Sequence, residues 1–402
     1  MNFFKKLYVR SFQSIMYVAT FFLDFGEPER IAGENALERL AERLHQKGIT
    51  KVLVVTDPGL WKLGMVNSIV DALEKKDMTG RVYYDTVANP TIDNIEAALK
   101  VYHEVGCQAI IAVGGGSPMD CAKGVGARVA RPHKSIPQMR GLLKVGKKLP
   151  LLVAIPTTAG TGSETTLAAV ITDAKTHEKF ALNDPHLIPA IAVLDPTLTL
   201  KLPKHITSTT GMDALTHAVE AYIGHANTRK TKKKALHAVK LIHKNLFEAY
   251  EHPENLKARE AMQIAAYDAG VAFTRAYVGY VHAVAHTLGG MYGVPHGLAN
   301  AVILPYVLEA FGKKAEKKLA RLADVIGLGS FKDSPEVKSK AFIAWIREMN
   351  AKMGIPEKFV GVIKKEDIPL LAKRAQKEGV PLYPVPRLFD LSDFIKIYEV
   401  IQ

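Results

Sequence analysis

"AIIAVGGGSPMDCAKGVG" (residues 109–126) runs from a β-rich apolar stretch, through three consecutive glycines, into a helix-like period. Glycines let a backbone turn sharply and approach a ligand closely. Ser117 is placed to cap the following helix, Pro118 suits its first turn, and Asp120 stands where a capping-box acid would. A helix N-terminus offers N–H groups and a positive dipole end to a phosphate. Gly114, Gly115, Gly116, Ser117 and Asp120 are therefore candidates to cradle a pyrophosphate. The stretch is not G-x-G-x-x-G, and it lacks the Lys-Ser/Thr of the triphosphate loop. It points to a phosphate without specifying the nucleotide.

The same strand-then-helix alternation extends on both sides. "KVLVV" (51–55), "RVYYD" (81–85), "LLVAI" (151–155) and "IAVL" (191–194) read as strands. Between them, "ENALERLAERLHQKG" (34–48) and "TIDNIEAALKVYHEVG" (91–106) carry helical periods. Apolar strands alternating with helices indicate a parallel sheet covered on both faces. The prolines of "LDPTLTLKLP" (194–203) end this pattern, and strand signals all but vanish afterwards. At 402 residues the chain also exceeds what one core usually supports. The expected architecture is α/β plus all-α. Residues 1–203 form a Rossmann-like parallel-sheet dinucleotide domain, with 1–25 as an N-terminal extension. Residues 204–402 form a helical metal-binding domain.

Two more stretches supply candidates for the nucleotide. "AIPTTAGTGSETT" (154–166) follows a strand with Thr157, Thr158, Thr161 and Ser163, whose hydroxyls and bare backbone suit a ribose or diphosphate. "VLVVTDPG" (52–59) ends its strand on Asp57. An acid there accepts from an adenosine ribose and repels a 2′-phosphate, favouring NAD(H) over NADP(H), although a helix-capping aspartate would look the same.

The second half concentrates imidazole. Three of the chain's fourteen histidines, His282, His286 and His296, fall within "HAVAHTLGGMYGVPHG" (282–297). His282 and His286 share a helical face, as do Asp213 and His217 in "TGMDALTHAVEAY" (210–222). One carboxylate with two or three imidazoles is a usual set for a divalent transition ion, Fe²⁺ or Zn²⁺.

Bulk composition narrows the alternatives. Two cysteines, Cys107 and Cys121, exclude a Cys-rich zinc site and give no disulfide framework, which fits a reducing cytoplasm. The net charge of +13 raises nucleic acid as a partner. Yet the basic run "TRKTKKKALHAVKLIHK" (228–244) has apolar residues at near-helical spacing, and reads as an amphipathic helix with a solvated basic face. Zinc-finger spacing and RNA-binding aromatic signatures are absent from the sequence, so nucleic acid is not an expected partner. Weak attraction to anionic surfaces remains as a reading from a different class. "MNFFKKLYVRSFQSIMYVATFFLDFGE" (1–27) has a basic start and an apolar stretch. Arg10 and Gln13 interrupt it, and it lacks a secretory cleavage site and the length to span a bilayer. It is expected to lie on the protein, or weakly on a membrane.

"NPTIDN" (89–94), "GGGSPMDCAK", "PTTAGTGSE", "GMDALTHAVEAY" and "HAVAHTLGGMYGVPHG" together resemble the iron-containing (group III) alcohol dehydrogenases, butanol-dehydrogenase-like members above all. The resemblance spans the chain from about Phe25 onward. It implies metal ligation by Asp213, His217, His282 and His296, with His286 beside the metal. It implies dinucleotide contacts by Asp57, Asn89, Gly116, Ser117, Thr157, Thr158, Thr166 and Lys179, with Leu198 packing on the cofactor. It further implies homodimers and a hydride transfer between an alcohol or aldehyde and nicotinamide. His286 is then the expected proton relay, since an imidazole ordinarily titrates near neutrality. Glycerol-dehydrogenase-like and dehydroquinate-synthase-like enzymes of the same superfamily use three protein ligands and zinc. The four donors here favour the iron branch. Ala168, where relatives often carry a larger polar or aromatic residue, leans toward a longer or bulkier alcohol.

Overall fold

A computed structural model describes residues 1–176 and 178–402. It divides into two compact units, Asp24–Lys201 and Met1–Leu23 with Leu202–Gln402.

The α/β unit is built on a six-stranded, wholly parallel sheet. Its strands are β1 (Glu29–Ala32), β2 (Lys51–Val55), β3 (Thr79–Tyr83), β4 (Ala109–Gly114), β6 (Leu151–Pro156) and β9 (Ile191–Leu194), in the order β1-β9-β6-β4-β2-β3. The central strand β4 is buried along its whole length, as a strand covered on both faces must be. Helices α2 (Ala36–Gln46), α3 (Pro58–Lys62), α4 (Asn67–Glu74), α5 (Ile92–Val105) and α6 (Gly116–Ala130) connect the strands. Two clusters of buried side chains flank the sheet. Leu53, Ile110, Leu152 and Ile95 belong to one, and Val54, Ile111, Val153 and Leu40 to the other. Alternate residues of β2, β4 and β6 feed opposite clusters, because successive side chains point to opposite faces.

Two features differ from expectation here. β3 begins at Thr79, two residues before "RVYYD", because Thr79 pairs with Lys51. A second sheet of β5 (Gly141–Leu142), β7 (Ala168–Asp173) and β8 (Glu178–Asn183) was not expected. β7 and β8 form an antiparallel hairpin that buries Ala169, Ile171, Phe180 and Leu182 on one face and leaves Val170 and Lys179 exposed on the other.

The second unit is helical, with no strand among its described residues. Helix α1 (Phe3–Ala19) belongs to it, followed by α7 (Lys204–Ile223), α8 (Arg229–Glu251), α9 (Leu256–Ala276), α10 (Tyr280–Tyr292) and α11 (His296–Phe311). Helices α12 (Lys313–Val325), α13 (Pro335–Lys352), α14 (Ile368–Gly379) and α15 (Leu391–Ile401) complete it. From Gly211 to Ala221 every residue of α7 is buried, so it is the central helix against which α8, α9 and α11 pack. The expectation that residues 1–25 accompany the α/β domain is corrected. Val9 and Gln13 of α1 are buried, and the Met1 amino group pairs with Asp390 at 3.0 Å. Among the described residues, no helix is long and apolar enough to cross a membrane.

Candidate metal centre and nucleotide edge

Asp213 and His217 lie one turn apart on α7, His282 and His286 one turn apart on α10, and His296 opens α11. Rigid helices thus carry all five side chains. The donor atoms of Asp213, His217, His282 and His296 all lie within 4.8 Å of one another. Metal bonds of about 2.0–2.2 Å to N and O would bring such donors within roughly 4.4 Å, so closure on an ion needs only small rotations. Two further observations fit a cation. The buried amide nitrogen of Asn300 donates to Asp213 Oδ1 at 2.6 Å and reaches His282 Nε2 and His296 Nε2, each at 3.1 Å. The two N–H groups of a neutral amide thus face three converging lone pairs, one more than they can satisfy. In addition, burial, reinforced by neighbouring imidazoles, pushes the His282 pKa well below its ordinary value. The His296 side chain is 42% exposed, yet desolvation by the surrounding protein lowers its pKa as well, despite the opposing pull of Asp213. Neutral imidazoles are the form that ligates a metal.

The surrounding groups fix these rings. His217 is sandwiched between Phe273 and His282, with ring centroids 4.2 and 4.6 Å away. Glu220, one turn beyond His217 and fully buried, accepts from His282 Nδ1 at 2.6 Å. It also accepts from the backbone N–H groups of Gly279 and Val281 at 2.7 and 2.8 Å, closing the start of α10. The carboxylate both satisfies a helix N-terminus and holds His282 in the tautomer whose Nε2 faces the cluster. Gly279 is obligatory, because a Cβ there would sit 2.6 Å from Glu220 Oε1.

His286 differs from its neighbours. Its side chain is 43% exposed, and its Nδ1 meets Glu378 Oε1 at 2.6 Å. Burial opposes its charged form, but the carboxylates of Glu378, Glu220 and Asp213 outweigh this and raise its pKa. Its ring stacks on His296 with centroids 5.3 Å apart. The hydroxyl of Tyr383 donates to the same Glu378 oxygen at 2.8 Å.

In the α/β unit the expected nucleotide residues cluster past the carboxyl ends of adjoining strands. Asp57 follows β2, Asn89 follows β3, Gly115–Ser117 follow β4, Thr157–Thr166 follow β6, and Leu198 follows β9. This edge is where open parallel sheets hold ligands. Lys179 stands apart on β8, exposed, opposite Thr172 of β7. Gly114 has φ +146°, and a Cβ there would lie 2.6 Å from Pro118, so only glycine makes this turn. Asp57 does cap α3, accepting from the N–H of Leu60 at 3.0 Å through Oδ1. Two expected capping roles at α6 are corrected. The helix already starts at Gly116, so Ser117 lies inside it and accepts instead from the backbone N–H of Asn89 at 3.1 Å. Asp120 faces the loop, accepting from Ser163 Oγ at 3.3 Å and the N–H of Val170 at 3.1 Å.

One side chain here escaped the sequence reading. Lys123 is completely buried, and its ammonium group donates to Ser163 O, Thr166 O and Ala168 O at 2.8–3.0 Å and to Thr166 Oγ1 at 2.7 Å. It pins the 157–168 loop from beneath. Its place three residues after Asp120 was the only local signal. Glu220 had a similar one, three residues after His217. Glu378 and Tyr383 lie about ninety residues from His286 and carried none.

A glycine-turned strand edge in one unit and a one-carboxylate, three-imidazole cluster in the other are compatible with a metal-dependent nicotinamide oxidoreductase. The family model "Iron-containing alcohol dehydrogenase" matches residues 28–196, and "Fe-containing alcohol dehydrogenase family, C-terminal" matches 207–401. Alcohol dehydrogenase 4 of Saccharomyces cerevisiae is 40% identical over 357 residues, 88% of this chain and 92% of that one. The NAD-dependent methanol dehydrogenase of Bacillus methanolicus is 36% identical over 93% of this chain and 98% of its own. The crystal structure of a 1,3-propanediol oxidoreductase superposes with a TM-score of 0.90 at 36% identity, covering 94% of this chain and 99% of that chain. The chain belongs to the iron-containing alcohol dehydrogenase family. It is an oxidoreductase of alcohol–aldehyde interconversion, in a family that is iron-dependent and NAD-binding. Residues 1–27 lie outside the matched spans.

Proposed function

We propose that the protein is an NAD(H)-linked dehydrogenase of primary alcohols, or reductase of their aldehydes, with Asp213, His217, His282 and His296 holding iron, or zinc in its place. The convergence of these four donor atoms within 4.8 Å carries the reading. When bound, the metal supplies a Lewis acid for the alcohol or carbonyl oxygen, and the nicotinamide accepts or gives the hydride. The protein's own groups do the rest. Glu220 keeps the His282 lone pair aimed at the cluster. His286, held at Nδ1 by Glu378, keeps Nε2 for the proton leaving the alcohol, and its half-exposed ring passes that proton to water. Gly114–Ser117 and Asp120 with Thr157, Thr158, Thr161 and Thr166 cradle the dinucleotide. Asp57 offers its second oxygen to the ribose, and Asn89, Lys179 and Leu198 complete the contacts. Small Ala168 leaves room for a longer alcohol.

We further infer a cytoplasmic homodimer, checked by sedimentation velocity. On α1, Phe4, Leu7, Ile15 and Val18 form one outward apolar face flanked by Lys5 and Lys6. Weak peripheral contact with anionic membrane follows from that pattern, and co-sedimentation with anionic but not neutral vesicles tests it. The main experiment reconstitutes the metal-stripped enzyme with Fe²⁺ or Zn²⁺ and assays primary alcohols of increasing length with both cofactors. NADH should be preferred, and Asp57→Gly should narrow that preference. A wild-type enzyme that favours NADPH would refute the role given to Asp57.

A further inference from the structure

Residues 381–386, "PLYPVP", carry three prolines. Proline has no N–H to donate and does not continue a helix or central strand. The segment therefore leaves backbone carbonyls that must find donors elsewhere. Helix α1 supplies donors for four of them, and the backbone N–H of His225 donates to Pro384 O at 2.6 Å. The Gln13 amide donates to Pro381 O at 2.9 Å and to Tyr383 O at 2.8 Å. The Arg10 guanidinium donates to Val385 O at 2.9 Å and to Pro386 O at 3.2 Å. It also donates to Gln13 Oε1 at 2.9 Å, so the two side chains lock each other in place. Gln13 is 8% exposed, and all of its donor and acceptor capacity faces this segment and Arg10.

The carbonyl that Gln13 holds belongs to Tyr383, whose hydroxyl donates to Glu378 Oε1 at 2.8 Å. That same oxygen meets His286 Nδ1 at 2.6 Å, and the His286 ring stacks on His296. A continuous set of hydrogen bonds thus runs from the N-terminal helix, through a proline-rich strap, to the proposed proton relay.

We propose that Arg10 and Gln13 are positioning residues for the Tyr383–Glu378–His286 array, which makes the N-terminal helix part of the catalytic scaffold. This rests on the relay role of His286. The two residues that break the apolar run of the N-terminal segment are the ones that fasten it to the strap.

The test is a double-mutant cycle on the full metal-loaded enzyme. Gln13→Met keeps the side chain's size and removes its hydrogen bonds. It should lower kcat on the order of 10-fold, leave metal content and the KM for NADH unchanged, and speed amide exchange at Leu382, Tyr383 and Val385. Ser11→Ala, on the exposed face of the same helix, should change none of these. In a His286→Ala background, Gln13→Met should lower kcat by less than 2-fold, because the group it positions is gone. An equal fall in both backgrounds, loss of metal, or faster exchange with unchanged kcat would each overturn the proposal. Unchanged turnover in His286→Ala alone would instead remove the relay reading on which it rests.

Discussion

In the helical unit, the groups that converge on one point are side chains borne by helices, Asp213 and His217 one turn apart on α7, His282 on α10 and His296 at the start of α11. In the α/β unit, most of the groups at the sheet edge are loop backbone and small hydroxyls, and Lys123, a residue that never reaches the edge, holds the loop in place. The two regions solve different problems. A metal ion needs a few lone pairs placed within tenths of an ångström, which rigid helices provide. A dinucleotide is long and anionic and is held by many weak donors, which a glycine-rich edge provides. Perturbation should therefore be concentrated in one region and distributed in the other.

The sharpest way to break this contrast is to delete one helix-borne donor. His282→Ala or Asp213→Ala removes one of four groups around the cluster and takes one hydrogen-bond partner from a buried group, Glu220 in the first case and the Asn300 amide in the second. Nearly all bound metal and nearly all turnover should be lost, read by elemental analysis and steady-state rates. Full metal occupancy in His282→Ala would show that the convergence is not a metal site.

A smaller effect is expected one step out from the donors. His286→Ala should retain metal and NADH affinity while turnover falls about 10²-fold, the usual scale of lost general acid–base help. The sign of the pH dependence follows from the surroundings of His286. Its pKa is raised, because Glu378 and other carboxylates outweigh the burial that opposes its charge. Alcohol oxidation needs the neutral ring as base, so the rate should climb with pH through a value above the ordinary histidine one. Glu378→Gln removes the holding charge and should move that limb to lower pH. A limb that stays put would separate His286 from the titration.

The unequal legibility of the two regions has the same physical origin. Asp213, His217 and His282 stood out because side-chain chemistry at helical spacing leaves a pattern in the sequence, and α7 and α10 are long enough to preserve it. Gly114 stood out because its backbone requirement excludes every other residue. The sheet order and the residence of α1 in the helical unit left no such trace, because long-range pairing sets them, whereas the β7–β8 hairpin is local and shows only a short alternation of apolar residues. Local sequence alone makes Ser117 and Asp120 look like helix caps. The tertiary partners of each, the Asn89 amide and the 163–170 segment, compete for the same oxygens and win. Glu378 and Tyr383 become functional candidates only once the fold brings them to His286.

The smallest predicted effect tests how the nucleotide loop is held. Glu164 lies in that loop, 2% exposed, and burial raises its pKa to about 7, against the opposing pull of its own backbone N–H and of Lys123. An unfolded chain ionises this carboxyl near its ordinary value of 4.5. Between about pH 4.5 and 7 the unfolded state has therefore lost a proton that the folded state still keeps. The contribution of Glu164 to stability must fall with rising pH across that window, and above it the folded protein carries a buried carboxylate. Glu164→Gln removes the titration while keeping the shape. Relative to wild type, the variant should gain on the order of 1–3 kcal/mol between pH 5 and pH 8. In a domain of this size each 1 kcal/mol moves the unfolding midpoint by about 2–4 °C. Thermal unfolding of both proteins at the two pH values reads the difference directly. If the midpoints differ by the same amount at pH 5 and pH 8, Glu164 ionises normally in the folded protein. The loop beside Lys123 would then be far wetter than its burial implies.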